Sequence, residues 1–102
     1  MSREAEYFAT RGRPPYKLLI ETFNGPTSYT TGGNRFYSKL LKVVERAAGL
    51  QVSPSGHLRI EVVTGSVTGN SFLIRVWTGT SEIPAGTDLS GYAFTVLVEG
   101  LL

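Results

Sequence analysis

The side chains of this sequence that could carry chemistry are few and stand far apart. His57 is the only histidine, and cysteine is absent, so thiolate chemistry and a histidine-rich metal site are excluded. A catalytic triad would need His57 to meet a serine and an acid, yet no G-x-S-x-G motif is present. Glu82 and Asp88 flank a Pro-Ala-Gly turn, but no aromatic cleft that would suit a glycosidase lies near them in sequence. We therefore expect no enzyme activity, no bound metal and no cofactor.

The segment GPTSYTTGG (residues 25–33) is rich in glycine and hydroxyl side chains, as phosphate-binding loops are. It contains no lysine and does not match G-x-x-x-x-G-K-[ST], so a tight turn that needs glycine geometry is the better interpretation. Aromatic side chains near this loop could fill a core or form a surface patch. We assign Phe36 and Tyr92 to the core, and we name Tyr29 and Tyr37 as candidate loop contacts.

Polar and apolar residues alternate along residues 58–98, and glycine-rich turns interrupt the pattern. Side chains of a strand point alternately to the two faces of a sheet, so this spacing predicts half-buried antiparallel strands. Three inward sets follow from it: Leu58, Ile60 and Val62; Phe72, Ile74 and Val76; Tyr92, Phe94, Val96 and Val98. If the loop over 65–70 is symmetric, Glu61 lies opposite Arg75 and Arg59 lies opposite Trp77.

Two segments are harder to interpret. Residues 17–23 are predicted to form a strand. Its apolar run Leu18-Leu19-Ile20 indicates that both faces of this strand are covered. Residues 35–48 fit a helix with an apolar stripe and Lys39 facing water, or a strand that continues into Leu50-Gln51-Val52. The sequence thus predicts an all-β fold, a small antiparallel β-sandwich of the jelly-roll or Greek-key kind. The alternative is an α+β fold with a helix at about 35–48.

Residues 1–15 differ from the rest and are predicted to form an extended N-terminal arm, while residues 16–102 form one β-sandwich domain. The arm ends in Arg13-Pro14-Pro15, and proline favours extended backbone. It also holds two adjacent aromatic residues, which need a surface to cover them, either on their own domain or on a neighbouring subunit. The candidate partner-binding residues of the arm are Arg3, Tyr7, Phe8, Arg11 and Arg13.

Charge and hydropathy exclude several classes of partner. The net charge of +2 comes entirely from residues 1–17, and the remaining residues are balanced. A nucleic-acid-binding fold usually has a basic stripe on its body, so this distribution argues against nucleic acid as a partner. No apolar run approaches the roughly 20 residues that span a bilayer, so no membrane partner is expected.

Three stretches resemble small virion proteins of tailed bacteriophages: residues 28–33 (SYTTGG), 69–72 (GNSF) and 84–94 (PAGTDLSGYAF). The resemblance covers about residues 18–99 and leaves out the arm. It implies a capsid-associated β-sandwich, of the type that decorates and stabilises the head (a cement protein), and it favours a strand over residues 39–52. The implied partners are the major capsid protein or other virion subunits, with the chain itself a homo-oligomer. The implied location is the capsid surface of the virion, after synthesis in the host cytoplasm.

The resemblance transfers no functional residues, because the matching stretches have the composition of turns. A different class of function stays open beside it. Exposed aromatic residues such as Tyr29, Tyr37 and Trp77 would equally suit a carbohydrate- or protein-binding β-sandwich module.

Overall fold

Seven β-strands form the part of the chain that the computed structural model describes, which is residues 16–54 and 56–102. The strands are β1 (Tyr16–Asn24), β2 (Asn34–Tyr37), β3 (Val43–Ser53), β4 (Leu58–Val62), β5 (Ser71–Thr78), β6 (Ser81–Glu82) and β7 (Ala93–Leu101). Residues 35–48 contain β2, a turn and the start of β3. The helical alternative is therefore wrong, and β3 does continue through Leu50-Gln51-Val52 as the strand interpretation required. That interpretation is corrected in one respect, because residues 38–42 interrupt the stretch and β2 and β3 belong to different sheets. No helix suited to crossing a membrane occurs among the described residues.

The strands form two antiparallel sheets. One sheet has the order β1-β7-β3, and the other has the order β2-β5-β4, with β6 pairing with β5 beyond the end of β2. The first and last strands of the chain are therefore neighbours in one sheet. Strands β1 and β3 belong to this sheet and β2 and β4 to the other, so the chain changes sheet at each connection from β1 to β4. The predicted all-β sandwich is confirmed.

The core lies between the two sheets and follows the alternation seen in the sequence. Phe94, Val96 and Val98 of β7 are fully buried, as is Phe72 of β5. The rings of Phe23 and Phe72 meet edge to face at 5.9 Å and thereby join the two sheets. Full burial of a large apolar side chain contributes about 1.5–3 kcal/mol, so these positions supply much of the stability.

The hairpin of β4 and β5 has the predicted register. Glu61 pairs with Arg75 and Arg59 pairs with Trp77 on the outer face of the sheet. The Arg59 guanidinium lies 5.3 Å from the centre of the Trp77 ring, a cation–π contact. The Glu61 carboxylate accepts a hydrogen bond of 2.8 Å from the Trp77 indole nitrogen.

Strand β1 departs from its prediction, because only one of its faces is covered. Leu19 packs against the core, and Phe23 lies inside it. Leu18 and Ile20 point the other way and keep 61% and 63% of their surfaces exposed. Coverage on both faces is therefore wrong: the described residues place no layer over the outer side of the β1-β7-β3 sheet.

Candidate interaction surface

The turn between β2 and β3 presents apolar side chains to solvent. We call residues 37–43 the Tyr37 turn. Tyr37 is 59% exposed and Leu40 is 56% exposed. Leu41, which follows Leu40 in the turn, is buried in the core. Val43, the last residue of the turn, is 41% exposed. A turn of this kind normally carries polar residues, so these three exposed apolar groups make it a candidate contact surface.

Ser38 holds the backbone of this turn in place. Its Oγ atom accepts hydrogen bonds from the amides of Leu40 (3.3 Å) and Leu41 (3.0 Å). Its own amide donates to the carbonyl of Asn70 at 2.8 Å. The Asn70 side chain in turn donates to the Ser38 carbonyl at 3.3 Å. The turn is therefore tied both to itself and to the loop that precedes β5.

Glu21 of β1 is the second anchor, and it is a buried carboxylate. Its Oε2 atom accepts a short hydrogen bond from the Ser38 hydroxyl. Its Oε1 atom accepts a bond of 2.9 Å from the amide of Lys39. A buried charge is costly unless it is hydrogen-bonded, so the turn and the carboxylate stabilise each other.

Basic groups accompany the apolar ones. The Lys39 ammonium lies 5.2 Å from the centre of the Phe23 ring and donates to the carbonyl of Thr22 at 3.2 Å. Lys42, on the same turn, is exposed. The Tyr37 turn thus offers a preformed surface that is apolar and positively charged. Such a surface binds a partner without first losing much conformational entropy.

Tyr29 does not belong to this surface, although the sequence made it a candidate loop contact. It is only 2% exposed. Its hydroxyl accepts a bond of 3.1 Å from the amide of Val76 and donates one of 2.6 Å to Glu82. The amide of Val76 lies between the stretches of β5 that pair with β2 and with β6. Tyr29 is buried because its hydroxyl takes the place of a missing strand partner.

The Tyr29–Glu82 pair changes how both groups titrate. Burial, and then the hydrogen bond to Glu82, raise the pKa of Tyr29 from 10.0 to about 12. The hydrogen bonds from Tyr29 and from the Gly32 amide hold the pKa of Glu82 below its usual value. These contacts fix the loop over residues 25–33 to the body of the sandwich.

The residues considered for catalysis have separate partners. Hydrogen bonding to Ser90 lowers the pKa of Asp88, whose Oδ1 atom accepts the Ser90 amide at 2.9 Å. Glu82 is engaged with Tyr29 instead. His57 is exposed in the turn before β4, at a φ of 66°. Within residues 16–54 and 56–102, no three His, Cys, Asp or Glu side chains gather in a way that could hold a metal ion.

The aromatic residues do not form one platform. Trp77 is half-buried, and the guanidiniums of Arg59 and Arg75 lie 5.3 and 5.6 Å from the centre of its ring. Phe36 and Tyr92 are partly buried and pack against the core, as predicted. Of the two candidate loop contacts, Tyr37 alone is exposed.

A second exposed surface is the outer face of the β1-β7-β3 sheet. An open depression of about 370 Å³ lies there, lined by Leu18, Leu97, Ala48 and the ion pair of Arg46 with Glu99. The nitrogen–oxygen distance in that pair is 2.8 Å. The predicted contacts of the arm, Arg3, Tyr7, Phe8, Arg11 and Arg13, lie outside the described residues.

Comparisons with protein-family models, with curated proteins and with solved structures find no match to this chain. Function is therefore inferred from the geometry of the two exposed surfaces.

The part played by Glu21 was not predicted from the sequence. One signal was present, because Glu21 stands between Leu19 and Phe23 in an alternating strand and therefore faces the core. A carboxylate in such a position needs buried donors. Nothing in the sequence shows that Ser38 and Lys39 supply them.

Proposed function

We propose that this chain is a structural protein of a bacteriophage virion rather than an enzyme. In this proposal it is a decoration (cement) protein, which binds the outer surface of the head and stabilises it. Its partners are the major capsid protein or other virion subunits. It is made in the host cytoplasm and acts at the capsid surface.

The observation that supports this proposal most is the Tyr37 turn. Tyr37 and Leu40 are exposed on a turn whose backbone is held by Ser38 and by the buried carboxylate of Glu21. Tyrosine is one of the residue types that dominate the binding energy of protein–protein interfaces, and the exposed Leu40 adds apolar area beside it. A flat protein shell is a partner that such a surface fits, and the neighbouring Lys39 adds attraction to an acidic one.

Weak individual contacts are sufficient for a decoration protein. A symmetric shell offers many equivalent sites, and a chain that binds through two elements gains affinity from the second as an intramolecular event. We assign the first contact to the Tyr37 turn. The second is residues 1–15, through Arg3, Tyr7, Phe8, Arg11 and Arg13.

A carbohydrate-binding function has less support. Sugar-binding modules stack rings on exposed aromatic side chains, but Tyr29 is buried and the half-buried ring of Trp77 already contacts the guanidiniums of two arginines. Of the three aromatic residues that the sequence suggested for this function, only Tyr37 is left. One exposed ring does not make a platform.

Sedimentation with purified shells tests the proposal. The full chain is mixed with empty heads of the phage whose genome encodes it, and free and bound protein are separated by centrifugation. We expect it to sediment with the heads at a fixed number of copies per shell and to raise the temperature at which the heads disassemble. A chain that stays in the supernatant at every concentration contradicts the proposal.

A further inference from the structure

Strand β1 lies at an edge of its sheet among the described strands and has a regular, unbulged ladder. Among the described strands it is hydrogen-bonded only to β7, over the whole span Tyr16–Asn24 and without a bulge. The opposite edge, β3, is interrupted by irregularities at Val44/Arg46 and Gly49/Gln51. Natural proteins use bulges, prolines and short edges to prevent pairing with another chain. Strand β1 has no bulge and no proline within Tyr16–Asn24. It does carry two charged residues of the kind that also protect edges, the exposed Lys17 and the inward-facing Glu21. Its open side is therefore suited to a partner strand that complements these two charges.

The hydrogen-bonding groups on its open side can be identified from the register. The amide of Gly25 donates to the carbonyl of Tyr92, which belongs to the chain leading into β7. Alternate residues of an unbroken antiparallel strand face the same neighbour, so the odd-numbered residues of β1 face β7. The main-chain groups of Tyr16, Leu18 and Ile20 therefore face the open side. At the next such position, the Thr22 carbonyl is taken by Lys39.

Two side chains of this open stretch, those of Leu18 and Ile20, are apolar and exposed. Leu18 and Ile20 lie on the outer face of the sheet, more than three-fifths exposed. Ile20 is level with Leu97 of β7, and Leu97 is level with Ala48 of β3. A partner strand laid along β1 would cover Leu18 and Ile20 and extend this apolar row.

We propose that the partner is β1 of a second copy of this chain. The two strands run antiparallel, with Leu18 on the two-fold axis and Ile20 opposite Tyr16 of the second copy. Pairing then covers Tyr16–Ile20 and ends before the position that Lys39 occupies. It joins two three-stranded sheets into one six-stranded sheet. An interface in which the same surface is used by both copies closes as a dimer.

Charge complementarity favours this occupant. Glu21 is buried and hydrogen-bonded, yet the described part of the chain gives it no ion-pair partner. Lys17, four residues earlier on β1, is exposed and also makes no ion pair there. In the proposed register Lys17 lies diagonally across from Glu21 of the second copy, at roughly 7–8 Å, within reach of a long side chain. The two-fold axis repeats the pair.

This dimer goes beyond the proposed function and does not depend on it. Shell binding is assigned to the Tyr37 turn and residues 1–15, whereas the dimer uses the open half of β1. Each can fail without the other, because the dimer is measured in the absence of shells.

The test is the molar mass of the full chain by light scattering after size exclusion, over a concentration series. We expect twice the monomer mass of 11.1 kDa and a monomer–dimer equilibrium on dilution. Leu18→Lys places two ammonium groups across the axis and should weaken the dimer by about tenfold or more. The control is Leu50→Lys, which changes a half-exposed residue of β3 on the other edge of the same sheet and should leave the dimer intact.

Two further full-length variants separate the occupants. Lys17→Glu brings like charges together and should also weaken the dimer, which covers the case in which Leu18→Lys does not fold. Tyr7→Ala combined with Phe8→Ala should leave the dimer unchanged. A monomer at every concentration, equal losses for Leu18→Lys and Leu50→Lys, or loss of the dimer in the Tyr7 and Phe8 variant would each overturn the proposal.

Discussion

The hydroxyl of Ser38 donates a hydrogen bond to the buried carboxylate of Glu21, which stands 17 residues earlier in the chain. Through this contact and the bond from the Lys39 amide, one side chain of β1 positions the turn that exposes Tyr37 and Leu40. The surface that we assign to shell binding therefore depends on a buried residue that the shell itself would not touch.

Removal of the Glu21 carboxylate should destabilise the fold. In Glu21→Ala the Ser38 hydroxyl and the Lys39 amide lose their acceptor, and each unsatisfied buried donor costs about 1–3 kcal/mol. We expect urea denaturation to show a free energy of unfolding lower by about 2–4 kcal/mol. Thr22→Ala, an exposed neighbour on β1, is the control and should change it by less than about 0.5 kcal/mol. Equal effects of the two changes would mean that the carboxylate is not an anchor.

The Tyr29 hydroxyl should be as important as its ring. Tyr29→Phe keeps the ring in the core but leaves the amide of Val76 without an acceptor and removes the donor to Glu82. We expect a loss of about 1–3 kcal/mol in the free energy of unfolding. Tyr37→Phe is the matched control, because that side chain is exposed and should tolerate the change. A Tyr29→Phe protein as stable as the wild type would contradict the assigned hydrogen bonds.

Alkaline pH should destabilise the protein through Tyr29. Its pKa is about 12 in the folded state against 10.0 as a reference, so the folded state retains the proton over that interval. Stability from this group is complete below pH 10 and is lost as pH rises towards 12, by about 2–3 kcal/mol. Unfolding curves between pH 9 and 12 measure this loss of stability, and Tyr29→Phe should not show it. If the free energy of unfolding of Tyr29→Phe falls with pH as steeply as that of the wild type, another group causes the loss of stability.

The end of the sandwich that carries the Pro84–Gly91 segment should be sensitive to one methyl group. At Gly25 an added Cβ would collide with the carbonyl oxygen of Leu89 and lie 2.9 Å from its Cβ. Gly25→Ala should therefore cost about 1–3 kcal/mol of stability. At Gly91 an added Cβ would have no neighbouring atom within 4 Å, so Gly91→Ala is the control. The melting temperatures of both variants are measured by thermal denaturation. Equal values would argue against the close approach of Gly25 to Leu89.

Alternation was sufficient to predict most strands and the hairpin register. Phe72, Ile74 and Val76 are buried as expected, since local spacing alone fixes which side chains share a face. The pairing of Arg59 with Trp77 could be predicted from the symmetry of the loop over residues 65–70, which is also a local feature of the sequence. These features depend on residues close together in sequence.

The other features depend on contacts between distant parts of the chain. Leu18 and Ile20 have the composition of a strand covered on both faces, and only the arrangement of the two sheets shows that one face is open. Tyr29 is buried because an amide of β5, 47 residues later in the chain, lacks a strand partner. Sequence spacing does not reveal either relationship, nor that Glu21 meets Ser38.

The affinity of the Tyr37 turn for the shell is the most direct test of the proposed function. Bound copies per head are measured against free concentration for the full chain and for a variant with Tyr37→Ala and Leu40→Ala. Leu50→Ala is the control, because it removes an equally exposed apolar group from another part of the surface. We predict that the double variant binds at least about tenfold more weakly, while the control binds as the wild type does. Equal binding by all three proteins would contradict the account.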